Sequence, residues 1–407
     1  MLKYKKTVKY LYVGYIVQAV VNNLLPLFFV IFKTDYGLSS SELGSLILFN
    51  FMVQLCVDLA ATKFGARLGY RASMLLAHTF ATLGLVFITV LPLLLSDIFG
   101  ALLIATFFFA VGGGLIEVMV SPMMDSIDFG GKSAAMSLLH SFYCWGQVLV
   151  VAVTTVIIAV FGDEYWLYLP IFWAIIPFLN IFPFIKAPLP PMLAEEKREP
   201  LRVLFKEPKF ILMVIIMVCA GAFELAMSQW ASYFAETGLG ISKMLGDLLG
   251  PCLFAVFMGL SRVYYGIRGE KLNLERSMML SSALGIICYL LAGLSLDPYI
   301  SLIGCSVCGF AVGLMWPGML SLAGKTFRGG TAMFGILALS GDLGCSLGPW
   351  VTGLCSDIAE NSSVITDLGA SFGLNSQQTA IKFGILIGAV FPVVALICLK
   401  TNGRKQK

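Results

Sequence analysis

Charge is what this sequence has least of. Only 12% of its 407 residues are Asp, Glu, Lys or Arg, whereas a soluble domain carries about 25%, so a soluble globular protein is excluded. Histidine is scarcer still: the chain has 2, far apart, with no acid-rich cluster beside either. A phosphate-cradling GxxxxGK[ST] loop is missing as well, which leaves no machinery for metal-assisted hydrolysis or ATP-driven pumping. No enzyme, cofactor or metal site is expected, and any transport must be secondary. The chain is also too poor in polar residues to be disordered or collagen-like.

What is present is apolar. With 58% hydrophobic residues and a mean hydropathy of +0.90, the bilayer is the solvent for most of the chain. A helix needs about 20 predominantly apolar residues to cross it. Stretches of that kind predict spans near residues 8–32, 41–62, 72–95, 97–122, 133–160, 165–186, 209–235, 243–265, 275–295, 298–322, 330–357 and 376–400. These are continuous runs of helical length, not the alternating apolar and polar segments of a β-barrel. The expected fold class is all-α integral membrane with twelve transmembrane helices. The first apolar segment is too long for a signal peptide and no small-residue cleavage site follows it.

Short loops rich in Lys and Arg stay in the cytoplasm. With the N-terminus inside, 24 of the 27 Lys and Arg residues, Arg262 among them, fall on the cytoplasmic side, leaving Lys33, Lys243 and Lys382 outside. Both termini are expected in the cytoplasm of a multi-pass protein of the cytoplasmic membrane. The net charge of +4 is then a topology signal, and no nucleic-acid partner is expected. The 10 cysteines lie almost entirely in apolar spans and read as small buried hydrophobes, not a disulfide framework. Cys305 and Cys308 form a CxxC with no second pair, a weak metal signal.

Between the sixth and seventh spans the composition changes abruptly to a Pro-rich stretch with charges of both signs. This divides the chain into an N-terminal six-helix bundle, 1–186, a cytoplasmic linker, 187–207, and a C-terminal bundle, 208–407. The flanks are self-similar: Phe109-Ala110-Val111-Gly112 recurs as Phe310-Ala311-Val312-Gly313, and Ser133-Ala134-Ala135-Met136 as Gly330-Thr331-Ala332-Met333. Two pseudo-symmetric halves follow, and parallel repeats of this kind place a substrate site near the midplane, between halves that rock.

Residues Gly65-Ala66-Arg67-Leu68-Gly69-Tyr70-Arg71 and Gly344-Cys345-Ser346-Leu347-Gly348-Pro349 resemble motifs of the major facilitator superfamily. The first stands where that superfamily has its basic loop between spans two and three, without the Asp expected at Ala66. The resemblance implies gating roles for Arg67 and Arg71, and a packing and bending role for the second motif through Pro349. A closer resemblance is to the fucose permease-like branch of sugar:proton symporters. It rests on Gly112-Gly113-Gly114-Leu115-Ile116-Glu117 with Ser121-Pro122 and Asp125, on Leu138-Leu139-His140-Ser141-Phe142-Tyr143-Cys144-Trp145-Gly146, and on Gly221-Ala222-Phe223-Glu224 with Ser228-Gln229-Trp230. Those symporters carry an acid in span one, where this chain has Gln18-Ala19-Val20-Val21-Asn22-Asn23.

An ionised side chain at the bilayer centre costs about 2.5 to 3.5 kcal/mol on insertion scales, so acids placed there need a reason. Those expected within spans are Asp58, Glu117, Glu224 and Asp342. Asp58, near Lys63 and Arg67, fits a gate or a loop salt bridge. Glu117, deep in span four, is the first choice for a proton carrier, with Asp342 and His140 as further titratable candidates. The alternative for Glu117 is an acid that only holds helices together.

Sugar hydroxyls want carboxylate or amide partners, and the apolar face of the ring wants an aromatic platform. Glu224, Gln229 and Trp230 supply that mixture in span seven, although a Trp near a span end also suits interfacial anchoring. His140, Tyr143 and Gln147 share a face of span five; His78 has no such stripe and reads as structural. Gln18 and Asn22, with Asn23, precede a kinking Pro26, and Asn50 and Gln54 repeat the i, i+4 spacing. Trp316 beside Pro317 completes the set of substrate-binding candidates. The sequence therefore predicts a monomeric transporter importing a small neutral polyhydroxylated solute, a sugar, coupled to protons or to sodium. An uncoupled facilitator and an exporter of drugs or lipids are the alternatives.

Overall fold

The computed structural model of the chain describes residues 4–127, 132–190, 204–268, 273–327 and 330–404. No strand occurs among the described residues. Among the described residues, eleven helices are long and apolar enough to cross a membrane: Lys5–Tyr36, Ser40–Ala60, Leu68–Leu94, Ile98–Met124, Leu138–Phe161, Tyr168–Lys186, Pro208–Gly238, Lys243–Tyr265, Leu274–Leu294, Pro298–Thr326 and Ser376–Thr401. They are spans one to ten and span twelve. Span eleven is the 31-residue helix Gly330–Glu360, set apart by its polar content, Asp342, Ser346, Thr352 and Ser356 included. Every expected span overlaps an observed one, and the protein has a twelve-span, all-helical membrane fold.

Two compact units are present, Met1–Leu38 with Phe49–Ala194, and Ser39–Leu48 with Glu195–Lys407. The start of span two groups with the second unit. Its reason is local. The Asp357 carboxylate accepts the backbone N–H of Ser40 at 2.9 Å and of Ser41 at 2.6 Å, satisfying donors that a helix start leaves orphaned. Nearby, Gly353 lies so close to the Ser40 carbonyl that a Cβ would come within 2.4 Å of it.

In the first unit span one is broken. Its α-helix runs from Lys5 to Asn23, then gives way to a 3-10 turn, Leu25–Phe28, that contains Pro26, and resumes at Phe29. Proline removes a helix hydrogen bond and clashes with the preceding turn, so the amides Gln18, Asn22 and Asn23 sit just before the break. His78 is fully buried, its Nδ1 2.8 Å from the Met74 carbonyl and its Nε2 2.8 Å from Asn180 Nδ2. Arg71 donates to the carbonyls of Phe184, Ile185 and Ala187 at the end of span six, where a cation also meets the favourable end of the helix dipole.

In the second unit spans seven and eleven meet along small residues. A Cβ on Gly344 would stand 1.9 Å from the Val218 carbonyl, and one on Gly348 2.5 Å from that of Ala222. The Gly344 to Pro349 motif thus works as a close-packing surface. Span seven stops being α-helical after Ser228 and passes through a short turn into a π-helix, Phe234–Gly238. Span ten breaks at Leu314, between Pro298–Gly313 and Met315–Thr326. Irregular backbone inside a membrane is tolerated where protein or a cavity satisfies it.

Candidate substrate and coupling site

Glycine spacing positions the acid of span four. Gly113 and Gly114 lie so close to spans one and two that added Cβ atoms would be 3.0 Å from Val21 Cγ1 and 3.1 Å from Gln54 Cα. One turn further on, Glu117 is thereby brought against span one, where Gln18 Nε2 donates to Glu117 Oε2 at 2.6 Å. The same amide lies 3.4 Å from Gln54 Oε1. Gln54 Nε2 donates in turn to Asn22 Oδ1 at 2.8 Å and to Asn50 Oδ1 at 2.9 Å, and Asn50 Nδ2 reaches Asn22 Oδ1 at 3.3 Å.

These four amides and the carboxylate form one buried polar chain across spans one, two and four. Gln18 is 4% exposed, yet its Oε1 has no hydrogen-bond partner among the described residues. A buried acceptor left without a donor costs about 1 to 3 kcal/mol, so this chain holds an acceptor for which a donor would be favourable. Beside it, Asn23 Nδ2 donates to the Tyr143 hydroxyl at 3.3 Å, and Tyr15 pairs with Ser121 at 2.8 Å while its ring meets His140 edge-on at 5.2 Å. Gln147 is buried on the same helix as His140 and Tyr143.

The second unit has its own polar group. Glu224 Oε2 lies 3.6 Å from Arg262 Nη2, with both side chains largely buried at 12% and 24% exposure. Sequence reasoning counted Arg262 only as a topology charge. It stands in the last turns of span eight, where the sequence alone gives no side-chain direction. One turn on, Tyr265 donates to Ser321 at 2.9 Å. The Trp316 ring covers Gly341, where a Cβ would be 2.3 Å from the indole, and Asp342 follows, 7% exposed.

The chain belongs to the Major Facilitator Superfamily. The profile of that superfamily matches residues 11–349. Solved structures of the same fold include a bacterial homologue of the human lysosomal transporter Spinster, at 13% identity and a TM-score of 0.77, covering 99% of this chain and 97% of that one. A D-xylose-proton symporter matches at 15% identity and 0.76, covering 95% and 96%. The E. coli fucose:proton symporter FucP matches at 14% and 0.62, covering 98% and 99%. At such identities the likeness is one of fold. No curated protein matches the sequence.

Within this facilitator fold several sequence candidates take different places from the polar chains. Trp230 is fully buried, its Nε1 donating to the Pro349 carbonyl at 2.9 Å and its ring edge-on to Tyr233, which is not the setting of an interfacial anchor. Gln229, the next residue back, is buried at 2%. Pro349 contributes its carbonyl to that contact. Asp58 is buried at 9%, whereas the side chains of Lys63 and Arg67 lie outside the described residues, as does most of the linker. Asp247, in the first turns of span eight, is 1% exposed and 3.4 Å from Lys243, which also lies 3.7 Å from Glu236. Lys382 is buried near the start of span twelve with Nζ 2.9 Å from the Ser295 carbonyl and 3.3 Å from Ser301 Oγ.

Proposed function

We propose that this facilitator is a sugar importer of the cytoplasmic membrane, moving a small neutral polyhydroxylated solute, a monosaccharide above all, by alternating access and with protons coupled through Glu117. The observation that carries the reading is the Gln18 to Glu117 contact at 2.6 Å beside the unmet acceptor on Gln18. A hydroxyl supplies the donor such a group needs, and so does a protonated carboxyl. The surrounding amides of Asn22, Asn50 and Gln54 both donate and accept, which suits a ligand whose every polar group does the same.

Proton coupling needs a titratable group that the solute's partners also touch. Glu117 meets that condition through Gln18, which is hydrogen-bonded toward Gln54 as well. His140 and Asp342 are the further titratable candidates, and Tyr143, Gln147, Glu224 and Trp316 the further substrate contacts. Both termini face the cytoplasm in this reading, with the 1–186 and 208–407 bundles as the two moving halves and sodium as the competing coupling ion. A second reading, an uncoupled facilitator, is favoured by the Gln18 to Asn23 stretch, which holds no acid where the symporters that the sequence resembles carry one. Uptake of a labelled sugar panel into proteoliposomes tests the substrate class: accumulation of at least one sugar supports it, and no uptake of any member overturns it.

A further inference from the structure

Spans eleven and twelve are joined by a short helix, Ser363–Ser371, that the membrane topology did not require. Eleven crossings precede it, so it lies on the side opposite the N-terminus. Three bulky apolar side chains on it are open: Val364 at 78%, Leu368 at 62% and Phe372, at its C-cap, at 58% exposure.

Their spacing of four places them on one stripe. At about 100° per residue, Val364, Leu368, Phe372 and the half-buried Ile365 share one arc of the helix. Next to that arc comes buried Gly369, where a Cβ would stand 1.9 Å from Thr379 Oγ1 of span twelve, so this side rests on the protein. Ser363, Asp367 and Ser371 occupy the remaining side, all exposed. The helix therefore has three sectors, one against span twelve, one apolar and one polar, and the centres of the last two lie about 110° apart.

Ile358, in the last turns of span eleven, continues the apolar sector at 56% exposure. The turn between spans nine and ten is on the same side of the membrane and carries Leu294, Leu296 and Tyr299 at 61%, 57% and 59%. That turn is tied to the start of span twelve by Lys382, whose Nζ bonds the Ser295 carbonyl and Ser301. The apolar stripe thus lies between the ends of two membrane spans, on the side where the turn between spans nine and ten exposes Leu294, Leu296 and Tyr299, and a tyrosine at such a turn belongs in the headgroup region.

We propose that Ser363–Ser371 is an interfacial helix, lying in the membrane plane with Val364, Leu368 and Phe372 sunk into the headgroup and acyl boundary and Asp367 in water. The partner is the lipid surface of the leaflet opposite the N-terminus. This anchors the hinge between spans eleven and twelve at a fixed depth and is independent of the solute carried.

The test places an environment-sensitive fluorescent amino acid at Leu368 or, separately, at Asp367 of the full chain in nanodiscs. The nanodiscs contain either ordinary or brominated phosphatidylcholine, and iodide is added to the water. The expected result is bromolipid quenching at position 368 about three times that at 367, with iodide quenching reversed. Equal iodide access at both positions, without bromolipid quenching at 368, would place the helix in water and overturn the proposal. Shielding of 368 from both quenchers would replace the lipid by a protein partner, and so overturn it too. Both side chains are exposed, so neither label disturbs packing.

Discussion

Gln18 on span one donates to Glu117 on span four across 2.6 Å. The atom that meets the carboxylate also lies 3.4 Å from Gln54 Oε1, at the head of the amide chain, and in the proposed function this amide links the proton to the solute. Gln18→Leu keeps the volume and removes both contacts. The predicted result is a KM for the transported sugar about tenfold higher, equivalent to about 1.4 kcal/mol, with the protein still monodisperse. An unchanged KM would detach Gln18 from the solute.

The Glu224 and Arg262 pair predicts non-additivity. Removing one partner of a buried pair leaves the other charge uncompensated, whereas replacing both does not. Uptake should fall at least tenfold in Arg262→Gln and recover substantially in the double variant with Glu224→Gln. Additive losses, measured by initial uptake rates at matched expression, would mean that the two residues act separately.

Close packing of spans seven and eleven predicts a sharp contrast between two glycines of one helix. Gly344→Ala forces a Cβ to 1.9 Å from the Val218 carbonyl, while Gly335→Ala meets nothing within 4 Å. Overpacking costs about 1 to 3 kcal/mol. Gly344→Ala should lower the thermal midpoint in detergent by several degrees, and Gly335→Ala should leave it where it is.

Trp230 and Asp357 test the packing readings. Trp230→Phe removes the hydrogen bond to the Pro349 carbonyl, worth about 1 kcal/mol, and should reduce stability without altering sugar affinity. Asp357→Ala strips the cap from Ser40 and Ser41 and should cost a similar amount, about 1 kcal/mol. A large KM change in Trp230→Phe would return the indole to the substrate site.

The helices were legible because a span is a local property: twenty apolar residues need no partner to announce themselves. Glu117 and the amides of spans one and two were legible for the converse reason, since polar groups in apolar runs must find one another. Side-chain direction was not. Arg262 and Lys382 look like boundary charges in a one-dimensional reading, and only the helix phase and the neighbouring carbonyls turn one toward Glu224 and the other onto Ser295. Trp230 shows the same limit, because an aromatic near a span end is anchored in lipid or buried in protein depending on where the facing helix places a carbonyl. The short helix after span eleven escaped because nine residues are too few to stand out beside spans of three times that length.

The most direct test of the account is sugar accumulation in proteoliposomes, with and without an inward proton gradient, for the native chain and Glu117→Gln. The account predicts accumulation that rises with the gradient in the native chain, and in Glu117→Gln equilibrating exchange that ignores both the gradient and the outside pH. Gradient-driven accumulation that survives in Glu117→Gln would contradict it.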